Sequence, residues 1–239
     1  MPHGVIMLTE QDKQWFRQYC RNFTLSHNKI SGELNFTATY NKETGDFLII
    51  HEDSTDYVGG LHLNGKFKIR IEEREEKLLS KLPALYVDGV EPIADRHFGQ
   101  RDKSACLCSP LEEESFLVPK FEFKKYFEQL VIPFLYGQVF YTTEKHWPWD
   151  EFKHGGIGLL QSYEQTCNNS TSPFVENFLN YLKQDARWPA YKKILILTRP
   201  SRQACPCGTG KKLRDCHPEA IKGLAKLKAD ISNLNINFN

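Results

Sequence analysis

The chain has no excess of either charge: 31 Lys and Arg stand against 30 Asp and Glu, a formal net charge of +1 over 239 residues. That balance gives no general pull toward nucleic acid or a membrane surface. No long basic stripe is present, which argues against an RNA- or ribosome-contacting protein. No run reaches the ~18 apolar residues a membrane span needs. Met1-Pro2-His3-Gly4 has neither a basic start nor an apolar stretch, so no secretory leader is expected. Internal repeats and low-complexity tracts are missing. A phosphate loop is missing too, because His154-Gly155-Gly156-Ile157-Gly158 lacks a preceding apolar strand and a following Lys-Ser. The seven cysteines do not suit a secreted disulfide scaffold, since their number is odd and three fall in one tight cluster. A reducing, cytoplasmic compartment is expected, which leaves free thiol chemistry available.

Hydrophobic residues at 40% and aromatics at 13% suffice for a true core. Thr9-Glu10-Gln11-Asp12 reads as a capped start for a helix over Glu10 to Cys20, with Trp15, Phe16 and Tyr19 as its apolar stripe. Strand signals follow at Leu34–Tyr40, Phe47–Ile50, Phe67–Glu72 and Pro83–Val87, with Asn41–Asp46 as a turn. Successive strands joined by short turns predict a four-stranded antiparallel meander packed on helices, an α+β fold. Gly89 to Pro119 has weak periodicity and is expected to be a long loop of the kind that often carries function. Helical patterning resumes near Lys120, with Phe121, Phe123, Tyr126, Phe127, Leu130 and Val131 on one face, and Pro133 is expected to kink or end it. Ser172 is the expected cap of a helix opened by Pro173, whose stripe is Phe174, Phe178, Tyr181 and Leu182. Ile194–Leu197 reads as a short strand or buried edge.

Two groups of cysteines carry the chemistry. Near the C-terminus, Cys205 and Cys207 are followed nine and ten residues after Cys207 by Cys216 and His217. Thiolate and imidazole are the preferred donors of a structural zinc site, and a set with all four positions taken by protein leaves none for substrate. Gly208 and Gly210 permit the tight turn between the ligands, and Cys216-His217 is expected at the start of a helix with Pro218 in its first turn. Zinc binding, worth roughly 10–16 kcal/mol, would fold a segment too short to build its own core. Lys211, Lys212 and Arg214 read as a solvated face or as a contact for an acidic partner. The run Cys-Pro-Cys-Gly-Thr-Gly-Lys-Lys-Leu-Arg-Asp-Cys-His-Pro resembles the SEC-C zinc motif over about twenty residues.

In the middle of the chain stands Cys106-Leu107-Cys108, and His97 precedes Cys106 by nine residues. A lone cysteine is by default a small buried apolar residue, and Cys20 and Cys167 are read as structural. The run Leu82–Val87, then His97, then Cys106-Leu107, resembles the core of ubiquitin-conjugating enzymes, although the proline and asparagine of that family's His-Pro-Asn turn are not matched. Cys106-Leu107-Cys108-Ser109-Pro110, a downstream Trp147 or Trp149, and His154-Gly155-Gly156 are similar to ubiquitin-conjugating-like proteins of bacterial antiphage operons, including cyclic-oligonucleotide signalling (CBASS) systems. The resemblance spans about Leu34 to Tyr163.

That resemblance implies a thioester relay. Cys106 would accept the C-terminus of a ubiquitin-like protein, or of a partner's own tail, and pass it to an amine or thiol. A free thiol with pKa near ~8.5 is already a few per cent ionised at neutral pH, and Arg96, Arg101 and Lys103 are the nearby charges expected to lower that value. The oxyanion donor is open among His97, His154 and backbone N–H groups, and His97 has the alternative role of fixing the loop. Cys108 is a resolving thiol, a bystander or the nucleophile itself. The organisation this implies is a conjugating-like catalytic domain over residues 7–200 and a SEC-C zinc module over 201–239. Catalytic candidates are Cys106, His97 and His154, and metal ligands are Cys205, Cys207, Cys216 and His217 for one structural Zn²⁺. Implied partners are the acyl-bearing C-terminus and a nucleotidyltransferase or activating enzyme of the same operon. An inactive conjugating-like domain, recruiting a partner through the zinc motif, is the other reading.

Overall fold

Thr9 has an extended backbone; its hydroxyl accepts the Asp12 N–H at 3.1 Å while the Asp12 carboxylate accepts the Thr9 N–H at 2.8 Å. This reciprocal cap satisfies two donors that helix geometry leaves free and starts α1 (Glu10–Tyr19). The computed structural model describes residues 8–20, 22–26, 29–50, 59–74, 80–99, 102–117, 120–149, 155–166 and 170–238. It divides into two compact units, residues 1–108 with 113–150 and residues 109–112 with 151–239. The expected boundary at residue 200 falls inside the second unit. Among the described residues no helix is long and apolar enough to cross a membrane.

The first unit holds one antiparallel sheet of β1 (Phe23–Ser26), β2 (Lys29–Tyr40), β3 (Phe47–Ile50), β4 (Leu61–Glu72) and β5 (Ala84–Val87). A simple meander is not what forms. β4 pairs with β2 along its whole length, from Lys29↔Glu72 to Tyr40↔Leu61, and β5 follows β4 with Ile69↔Val87. β3 pairs with β2 from Thr37↔Ile50 to Tyr40↔Phe47. Residues 37–40 thus have β3 on one edge and β4 on the other. The lengths account for this order: twelve residues of β4 satisfy twelve of β2, which four residues of β3 cannot do. β1, absent from the strand signals, adds to the first residues of β2 with Phe23↔Gly32; its burial is slight, so its sequence carries little alternation.

One face of the sheet is apolar with period two. Ile30, Leu34, Phe36 and Ala38 of β2 and Ile69 and Ile71 of β4 are buried. They join Phe16 and a helical stretch that supplies Phe123, Tyr126, Phe127, Val131, Phe134, Leu135 and Tyr136. That stretch is α3 (Phe123–Tyr126), a π turn (Phe127–Val131) and α4 (Ile132–Glu144). Pro133 neither ends nor breaks it. A proline lacks an N–H and its ring clashes with the carbonyl four residues back. Here the Ile132 N–H bonds to Phe127 O, five residues back, so the wider π turn lies directly before Pro133 and relieves the register. Between β5 and α3 the expected loop carries helical structure. It contains a 3₁₀ turn at Ala94–Arg96 and α2 (Pro110–Leu117). Ser109 and Glu112 form a capping box (Ser109 N to Glu112 Oε2 2.8 Å, Glu112 N to Ser109 Oγ 3.3 Å).

The second unit is helical: α5 (Gly156–Thr166), α6 (Ser172–Gln184), α7 (Trp188–Ile196), α8 (Leu213–Cys216) and α9 (Ala220–Asn233). Thr171, not Ser172, is the cap residue of α6, and no side-chain capping bond is made there. The run Ile194–Leu197 is not a strand. Trp188-Pro189 opens a helix through Ile196, of which Tyr191, Ile194 and Leu195 are buried. A short apolar run has no period of its own, and the proline-primed start upstream decides its state. α5 and α9 cross at Gly223, where a Cβ would lie 1.7 Å from the Leu160 carbonyl oxygen.

Candidate metal centre and thiol site

Residues 203–213 form a small hairpin. Ala204 bridges Lys212, the Cys205 N–H donates to Lys211 O at 2.7 Å, and the Leu213 N–H donates to Gln203 O at 2.8 Å. Gly208 and Gly210 at its tip have φ of +87° and +76°, where a side chain would be strained. Leu213 is fully buried and anchors α8, and the His217 N–H bonds to Leu213 O at 2.8 Å. Cys216 and His217 therefore close a one-turn helix rather than open one, and Pro218 lies in the turn before α9. The four residues expected as ligands come together. The ligand atoms of Cys205, Cys207, Cys216 and His217 all lie within 4.8 Å of one another. Cys205 Sγ is 3.2 Å from His217 Nδ1, and Cys207 Sγ is 3.5 Å from Cys216 Sγ. A tetrahedral ion with bonds of about 2.3 Å to sulfur and 2.0 Å to nitrogen separates its ligand atoms by roughly 3.5–3.8 Å. The donor set and spacing thus fit a metal such as zinc, with Nδ1 as the imidazole donor.

The four positions differ in environment. Cys205 is buried, and burial first, then the neighbouring sulfurs, push its thiol up. Cys207 is half-buried; burial opposes ionisation, but the Thr209 hydroxyl and N–H and the adjoining thiols bring its thiol down. Thr209 Oγ1 reaches both Cys207 Sγ at 3.3 Å and Cys216 Sγ at 3.1 Å. Lys211, Lys212 and Arg214 are exposed.

The family model of the SEC-C motif matches residues 202–217. Comparison of the chain with curated proteins and with solved structures gave no match. The matched segment ends at the last ligand, and the helices packed around it lie outside it.

The second cysteine group lies in the first unit. Phe98 bridges Ala105, the Gly99 N–H donates to Ser104 O at 2.8 Å, and the Ala105 N–H donates to Leu85 O of β5 at 2.8 Å. Asp102 fastens this hairpin. Its carboxylate accepts the Ser104 hydroxyl at 2.8 Å and Arg74 Nη1 at 2.7 Å, while Arg74 Nε donates to Leu82 O at 3.1 Å. Burial works against the Asp102 charge, but the Ser104 bonds and Arg74 hold the carboxyl below its ordinary value. Cys106 leaves the hairpin exposed. Its N–H donates to His97 O at 2.7 Å.

His97 is brought to Cys106 through the backbone. Its φ is +55°, and its ring meets the Trp147 ring edge-on at 4.5 Å. Trp147 Nε1 donates to Asp95 O at 3.1 Å, and buried Gln138 Nε2 donates to Arg96 O at 2.8 Å. These bonds dock the 95–97 turn on α4, and Trp147 acquires a place beside His97. Arg96 and Lys103, two of the basic residues expected to lower the Cys106 thiol, are not among the groups that shift it. Desolvation by the surrounding protein pushes the thiol up, Arg74 pulls it down and Asp102 adds to the rise. Leu107 and Cys108 pack against the core. Cys20 is buried, which pushes its thiol up to about 12, in keeping with a structural cysteine. His154, Cys167 and Arg101 lie outside the described residues.

Sequence reasoning missed Arg74, Asp102 and Gln138. Asp102-Lys103-Ser104 carried a local turn signal, an Asp two residues before a hydroxyl. Arg74 is 28 residues from Asp102, and nothing in its own neighbourhood marks the pairing. Gly156 of the His154-Gly155-Gly156 sequence has a packing role, since a Cβ there would lie 2.6 Å from the Tyr191 ring.

Proposed function

We propose that the chain is a ubiquitin-conjugating-like acyl carrier that holds a C-terminal acyl group on Cys106, with a structural zinc ion in the SEC-C segment supporting a helical unit that docks a partner. The observation that supports this most is the exposure of Cys106 at the exit of a hairpin whose other members are tied down by Asp102, Arg74 and Leu85. A fixed, accessible thiol on a rigid scaffold is what acyl transfer needs. In the step proposed, the Cys106 sulfur attacks the thioester carbonyl of an activated ubiquitin-like or partner C-terminus. The new C–S bond forms as the donor's C–S bond breaks, and the proton lost by Cys106 leaves with the donor thiol. A thiol acceptor then takes the acyl group by a second exchange, or an amine takes it as an amide; either way the Cys106 C–S bond breaks and the acceptor's proton passes to the Cys106 sulfur. A thiol pushed up by its surroundings is the poorer leaving group, which suits a group that carries its cargo rather than shedding it to water. The setting carried over from the resemblance is cytoplasmic bacterial antiphage defence, with a nucleotidyltransferase or activating enzyme as partner.

A second reading is an inactive binding module. It is favoured by His97, whose ring is engaged with Trp147 and whose carbonyl is engaged by the Cys106 N–H. Purification with the neighbouring operon products, followed by intact mass analysis without reductant, separates the two. An adduct removed by thiol treatment and absent in Cys106→Ala supports the carrier. Absence of any adduct in the unaltered chain, together with partner binding retained by Cys106→Ser, favours the module, and an adduct mapped to Cys108 overturns the assignment of the nucleophile.

A further inference from the structure

The metal-binding turn is held by residues that the SEC-C match does not include. Arg187, in the turn between α6 and α7, donates from Nη1 to the carbonyl oxygen of Cys207 at 2.8 Å. The same guanidinium donates from Nε to Asp185 Oδ1 at 3.3 Å, and the Arg187 N–H reaches that oxygen at 2.9 Å. The other carboxylate oxygen, Asp185 Oδ2, accepts the N–H of Gly156, the first residue of α5, at 3.0 Å. Asp185 is therefore a carboxylate at a helix N-terminus, where the dipole favours negative charge, and its side chain is only 12% exposed. Burial opposes its ionisation, while the N–H bonds of Arg187 and Gly156 hold the carboxyl below its ordinary value. A continuous path runs from the backbone of one ligand, through Arg187 and Asp185, to the first turn of α5.

We propose that Arg187 and Asp185 are positioning residues of the metal centre, fixing the Cys205–Gly208 turn from outside the matched motif and linking metal occupancy to the start of α5. This rests on the metal reading of the cluster. Cys207 is a half-buried ligand on a glycine-rich turn with φ of +87° at the next residue, so little within the hairpin itself fixes the direction of its carbonyl. The Arg187 bond supplies that constraint. It orients the Cys207 peptide, and through it the sulfur, before metal arrives. Outer residues that orient ligands typically change metal affinity by roughly ten- to a hundredfold when removed.

The probe is cobalt(II) added to the full-length apo chain under reducing conditions, read by thiolate-to-metal charge transfer and by the tetrahedral ligand-field bands, with zinc competition giving the affinity. The unaltered chain should bind one cobalt ion per chain. Arg187→Ala should weaken binding by roughly ten- to a hundredfold and shift or broaden the ligand-field bands, and Asp185→Asn should weaken it in the same direction. Arg187→Lys, which keeps a cationic donor, should recover part of the loss and serves as the informative variant if Arg187→Ala does not fold. Circular dichroism at saturating metal should be alike in all folded variants, which a merely structural role would not give. Unchanged affinity and spectrum in Arg187→Ala, or in Arg187→Lys and Asp185→Asn where the alanine variant fails to fold, would overturn the proposal. Failure of the unaltered chain to bind cobalt or zinc would instead remove the metal reading, and the proposal with it.

Discussion

Arg74 and Asp102 set both the shape and the charge around Cys106, and each has a distinct experimental signature. The Asp102 carboxyl is held below its unfolded value, so its contribution to stability is complete above the ordinary carboxylate range near pH ~4. It is lost as pH falls through the lower folded value. The unfolding midpoint of the chain should therefore drop on acidification in that window, and Asp102→Asn should show a shallower drop there. At Cys106, the midpoint of an iodoacetamide alkylation profile should lie above the ordinary thiol value of about 8.5. Arg74→Gln removes the charge that favours the thiolate, so it should move that midpoint further up and slow alkylation at neutral pH. A midpoint that falls in the variant would contradict the assigned sign. A third signature is Tyr191, whose buried hydroxyl has no hydrogen-bond partner among the described residues. An unpaired buried polar group costs about 1–3 kcal/mol, so Tyr191→Phe should leave thermal stability unchanged or raise it.

At the scale of elements, what could be read from the sequence depended on whether the deciding contact was local. The cap at Thr9 and Asp12 uses atoms three residues apart, and α1 begins where its signal lies. The metal cluster is likewise local, with four ligands inside thirteen residues. Strand existence was legible from alternation in β2 and β4, but strand order was not. The choice of β4 over β3 as the long partner of β2 depends on matched lengths and pairing between distant residues. The run Ile194–Leu197 has no period to reveal a helix, and Pro133 is tolerated only because a π turn forms before it. The α5–α9 crossing also escapes sequence reading, since Gly223 looks like an ordinary helix glycine until Leu160 is brought against it. Gly223→Ala should force these helices apart and destabilise the second unit by about 1–3 kcal/mol, read as a lowered denaturation midpoint with the metal at saturation.

At the scale of the whole molecule, the SEC-C segment is built into the core of the second unit. Cys205 and Leu213 are buried in the same cluster as Ile157, Phe178, Leu195 and Leu224. Metal removal is therefore expected to loosen α5, α7 and α9 as well as the hairpin, whereas the sheet of the first unit has its own core. Hydrogen exchange before and after chelation should show added exchange in residues 155–238 and little change in β2 and β4. The integrity of the second unit depends on whether the four convergent side chains hold a metal ion. Native mass spectrometry of the full-length chain, purified without chelator and then supplied with zinc, tests this most directly. One zinc ion per chain is expected, and none in a Cys205→Ser, Cys216→Ser double variant. A metal-free mass for the unaltered chain under the same conditions, or zinc retained at full stoichiometry by the double variant, would contradict it.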